Sequence, residues 1–95
     1  AQAVFGVLEP ILKEINGGVE DTVTADVAQS IIGIVKDHHI VDVWSNEMAR
    51  NNMRNAIDDY FFDVVRDEKG IDIPLDLLDD IELRIMDIAR ARFPG

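Results

Sequence analysis

Ninety-five residues, 47% of them hydrophobic, suffice for one domain with one modest core. The formal net charge of −10 comes from 19 acids against 9 bases, and every quarter of the chain is acidic, which opposes tight sequence-independent binding to nucleic acid. Cysteine is absent, so disulfides and thiolate metal sites are excluded, and the chain contains neither a secretory leader nor an apolar run of about 18 residues. These features predict a cytoplasmic chain with no membrane partner. The start Ala1-Gln2-Ala3, without an initiator methionine, points to residues 1–95 as a single helical domain that forms a C-terminal fragment of a larger protein.

In chain order, the hydrophobic periodicity predicts an all-α fold, a small bundle of about four helices with no significant sheet. The first helix, about 3–15, sets Val4, Val7, Leu8, Ile11, Leu12 and Ile15 on one face, and Pro10 inside it predicts a kink or a short helix. Asn16-Gly17-Gly18 ends it. Thr24 is then a candidate cap for a second helix over about 25–38, which turns Val27, Ala28, Ile31, Ile32, Ile34 and Val35 inward. Residues 40–44 are rich in β-branched side chains but have no second strand to pair with, so an extended connector is expected there.

The third helix, about 46–69, is the most informative element. Ser45 is its expected N-cap, Glu47 favours the positive end of the helix dipole, and Gly70 is the expected stop. Ala49, Met53, Ala56, Ile57, Tyr60, Phe61 and Val64 form its apolar stripe. Asn51, Asn55, Asp58 and Phe62 fall roughly opposite, flanked by Arg50 with Arg54 and by Asp59 with Asp63. Like charges at i,i+4 cost a few tenths of a kcal/mol each, so local stability does not account for them. A fourth helix, about 75–92, follows Pro74 and buries Leu78, Ile81, Ile85, Ile88 and Ala89.

No residue is a candidate for catalysis, cofactor binding or metal binding. His38 and His39 are adjacent and lack a His-x-x-x-His or Glu-x-x-His partner, which favours a capping or solvent-facing role. Asp67-Glu68-Lys69-Gly70 lacks the spacing of a calcium loop, and there is no phosphate loop, serine elbow or dinucleotide fingerprint. Trp44, Arg50, Asn51, Arg54, Asn55 and Phe62 are instead candidates for an interface with another subunit. Arginine forks suit carboxylates or phosphates, and large aromatics outside the simple core pattern suit an interface anchor. For several of them an intramolecular role competes: Trp44 stapling onto Met48 or Met53, Arg54 pairing with Asp58, and Phe62 lying under the first helix.

The run Ile-Val-Asp-Val-Trp-Ser-Asn-Glu-Met-Ala-Arg-Asn-Asn-Met-Arg-Asn-Ala-Ile-Asp-Asp-Tyr at 40–60, followed by Gly70-Ile71-Asp72 and the helix to Phe93, resembles the C-terminal helical region of the R subunit of type I restriction-modification enzymes. The resemblance covers about residues 40–93, and residues 1–37 share only the helical hydrophobic pattern. It implies a parent that is an ATP- and magnesium-dependent DNA translocase and site-specific deoxyribonuclease. For this domain it implies a non-catalytic role, docking that engine onto the methyltransferase core of modification and specificity subunits. DNA would be met only through the parent complex, and the fragment alone would be a monomer without ATPase or nuclease activity. Neither the phosphate loop nor an Asp … Glu-x-Lys nuclease pattern is present, so no catalytic residue or cofactor carries over. Two other roles stay open: a nucleic-acid-contacting accessory surface of the same enzyme, and an unrelated homodimerisation module. Salt-dependent DNA affinity would mark the first and concentration-dependent association the second.

Overall fold

The computed structural model describes residues 2–14, 20–40 and 42–93. Four α-helices carry the fold: α1 (Gln2–Glu14), α2 (Asp21–His38), α3 (Glu47–Tyr60) and α4 (Leu75–Arg92). No strand occurs among the described residues. Each helix packs against the next and α1 returns against α4, so the four close into a ring around one core. Leu8, Leu12, Ile31, Met53, Ile57, Ile81 and Ile85 are fully buried at its centre. The radius of gyration is 12.9 Å, close to the ~12 Å expected of a compact chain of this length.

The apolar registers anticipated from sequence hold for α1, α2 and α4. Val4, Leu8 and Leu12 seat α1; Val27, Ala28, Ile31 and Val35 seat α2; Leu78, Ile81, Ile85 and Ala89 seat α4. The first helix runs through Pro10, which lies on its exposed side. The predicted contribution of Ile15 and the Asn16-Gly17-Gly18 stop lie outside the described residues.

Several boundaries differ from expectation for identifiable reasons. The second helix begins at Asp21, a turn before Thr24, because the carbonyl of Glu20 accepts from the amides of Val23 and Thr24, each at 3.1 Å. Thr24 is therefore a buried helical residue whose hydroxyl donates to the Glu20 carbonyl at 3.3 Å, and Glu20 at the N-cap makes no side-chain cap bond. Between α2 and α3 the chain forms a 3₁₀ turn, Val43–Ser45, in place of the extended connector, entered through Asp42 at φ 62°. Ser45 is absorbed into that turn. Asn46 takes the cap position, and its side-chain oxygen accepts from the amide of Ala49 at 3.1 Å.

The third helix stays helical beyond Tyr60 but widens into a π segment, Phe61–Arg66. Met53, Ile57, Phe61 and Val65 are all buried, yet positions four apart drift by about 40° per step in an α-helix. A π turn rotates less per residue, which brings Val65 back over the core in place of the expected Val64, now half-buried. The helix ends at a turn over residues 67–69. The amides of Glu68 and Lys69 share the Val64 carbonyl, and Gly70 supplies the left-handed residue at φ 71°. Ile71 and Ile73 then alternate into the core while Asp72 faces solvent.

Candidate functional site

The ring presents the polar side of α3 outward and divides the six candidate interface residues into two groups. Arg50, Asn51 and Asn55 are exposed, and their side chains make no hydrogen bond among the described residues. Near them Met48 stands 74% exposed. Asp42, Asn46, Met48, Asn51 and Asn52 line a shallow depression of about 730 Å³ at the N-terminal end of the helix. Carboxamides, an arginine fork and a flexible thioether give this surface both hydrogen-bonding capacity and an adaptable apolar contact.

Trp44, Arg54 and Phe62 are held within the chain. The Trp44 indole packs against the core, and its Nε1–H donates to the Phe93 carbonyl at 2.6 Å, tying the 3₁₀ turn to the end of α4. His39 lies beside the same phenylalanine, with ring centroids 5.8 Å apart. Its neighbour His38 caps its own helix, with Nδ1 2.9 Å from the Ile34 carbonyl oxygen. Phe62 is half-buried against the core beneath the guanidinium of Arg66, 4.9 Å from its ring centroid.

Arg54 reaches across to α4. Its Nη2 donates to Asp79 Oδ1 at 2.6 Å and its Nε to Glu82 Oε1 at 3.3 Å. Its partner is thus the fourth helix and not Asp58 one turn along its own. Glu82 is 4% exposed, the one charged residue in the described core. Burial above all, and then the neighbouring carboxyl of Asp58, push Glu82 up to about 7, against the pull of Arg54 in the other direction. Sequence reading passed over this cluster. The signal was available, because position 82 lies four residues after Leu78 and three before Ile85, within the buried stripe, where a carboxylate demands a partner.

Asp59 and Asp63 are both exposed. Among the described residues no group of three or more histidines and carboxylates is arranged to hold a metal ion, and no helix is long and apolar enough to cross a membrane. The chain matches no protein-family model, no curated protein and no solved structure at a significant level.

Proposed function

We propose that this domain is a non-catalytic docking module, seating the R subunit of a type I restriction enzyme on its methyltransferase core. The observation that carries the reading is the uncovered surface of α3, where Arg50, Asn51 and Asn55 stand exposed beside an exposed Met48. Uncompensated polar groups contribute nothing to the fold, and a methionine among them suits a contact that must adapt to its partner. The likeness of residues 40–93 to the tail of R subunits supplies the identity of that partner. In the parent, ATP, magnesium and DNA would be handled by other domains. Trp44, Arg54 and Phe62 enter the reading as residues that shape the surface from behind, since each is engaged within the chain.

The test is capture of the purified chain by modification and specificity subunits, singly and together. Wild type is expected to bind, and Arg50→Glu with Met48→Ser is expected to weaken binding by about 2 kcal/mol or more, the scale of an interface hot spot. Thermal unfolding should stay nearly unchanged, because both side chains are exposed. Capture by neither subunit, where an intact R subunit is captured, would refute docking. Salt-dependent DNA affinity, or self-association that grows with concentration, would support the accessory DNA surface or the homodimer instead.

A further inference from the structure

A cleft of about 460 Å³ opens where the π segment meets the start of α4, further along the same face of the third helix than Asn51 and Asn55. Its apolar wall is Phe62, Leu75 and Leu78, and Leu75 is 69% exposed at its mouth. Around that wall stand the carboxyl groups of Asp58, Asp76, Asp79 and Glu82. Two cations are close by, and both are engaged: the Arg54 guanidinium uses its Nη2 and Nε on Asp79 and Glu82, and Arg66 lies over one side of the Phe62 ring and pairs with Asp67.

We infer that this cleft is a contact surface for a basic amphipathic segment of a partner protein, which places an apolar side chain against Phe62 and Leu75 and a lysine or arginine beside Asp76 and Asp79. The assignment is independent of the docking surface around Met48. Charge complementarity selects the occupant. Asp58 and Asp76 have no ion pair among the described residues, so the four acids outnumber Arg54 and Arg66 and leave local negative charge uncompensated in a chain whose net charge is already −10, a field that attracts basic partners and repels duplex DNA. The same crowding is felt at Glu82, where burial and Asp58 raise the carboxyl despite Arg54, so an added cation relieves a repulsion already present. A bare metal ion fits less well, because among the described residues these carboxylates do not converge on one point. The exposed Leu75 supplies the second half of the match. An acidic patch alone would attract any cation, whereas an apolar wall beside it favours a segment with both characters.

The test titrates the whole chain, with isotope-labelled amides, against a synthetic helical peptide of leucine and lysine. A peptide of equal charge made of serine and lysine serves as control. Perturbed amides should cluster at residues 58–62 and 75–82, and the serine peptide should bind at least tenfold more weakly. Leu75→Ser should also weaken the leucine peptide about tenfold, as should Asp76→Asn with Asp79→Asn. Asp59→Asn with Asp63→Asn, which removes equal charge from exposed positions of α3 and the π segment, should change affinity less than twofold. Equal affinity for both peptides, equal loss from the two aspartate pairs, shifts scattered over the surface, or no binding at millimolar peptide would each overturn the assignment. Leu75→Ser keeps the test decisive if the Asp79 variant is unstable, since Leu75 is a solvent-facing first residue of its helix.

Discussion

Glu82 shows how a single side chain can carry a conflict that the rest of the fold contains. Folding lifts its carboxyl from 4.5 to about 7, so the folded chain holds a proton that the unfolded chain releases. The stability linked to this proton is complete below pH 4.5 and is lost as pH rises through about 7. Glu82→Gln keeps the shape and an acceptor for Arg54 while removing the charge. The variant should match wild type near pH 4.5 and become progressively more stable above it, by up to about 3 kcal/mol at about pH 8, since each pH unit of displacement is worth about 1.4 kcal/mol. Urea unfolding across this range checks the sign, and a difference that does not change with pH would refute it. The reverse substitution logic applies to Arg54. Removing it leaves Glu82 and Asp79 facing each other without a cation, so its loss must be read as a packing defect before it is read as a binding defect. That is why Arg50 and Met48 are the cleaner probes of docking.

Among the elements, the rod from Glu47 to Arg66 and the turn that ends it set the position of α4. Gly70 sits at φ 71° with open space where a Cβ would project, so an alanine meets no neighbour and suffers only the backbone cost of the left-handed region. Gly70→Ala should therefore destabilise by about 1 to 2 kcal/mol, measured by thermal or urea unfolding, with the fold intact. A neutral result would mean that the turn relaxes out of that region. The position of Gly70 was legible because glycine enters the left-handed region at the least cost. The π segment was not, since Met53, Ile57, Phe61 and Val64 satisfy an α pattern, and only the packed core shows that Val65 replaces Val64. Caps were misread for a related reason. Ser45 and Thr24 are good capping residues, but a 3₁₀ turn consumed the first and the Glu20 carbonyl started α2 before the second. Long periodic faces survive such competition because many residues vote together; a boundary rests on one.

For the whole molecule, the governing quantity is charge. A net −10 on a body 40 × 22 × 20 Å repels itself, and the ion pairs of Lys13, Arg66 and Arg84 are largely exposed, where each contributes little. Raising ionic strength from about 10 to 150 mM shortens the screening length to about 8 Å, which should raise the melting temperature by a few degrees, as self-repulsion is screened faster than the scattered pairs are lost. A fall in melting temperature over that range would show that the pairs dominate. The candidate surface on α3 was visible in sequence as polar residues without a structural reason. The acidic cleft was not, because it depends on bringing residues 58, 62, 75 and 79 together across α3, the π segment and α4. The bond from the Trp44 indole to the Phe93 carbonyl gives the molecule a built-in optical gauge. Trp44 is the sole tryptophan, and its seat joins positions 49 residues apart, the turn before α3 and the end of α4. Its emission therefore reads whether the last turn of α4 is in place, and a colour change at one indole reports the contact between the α2–α3 connection and the end of the fourth helix.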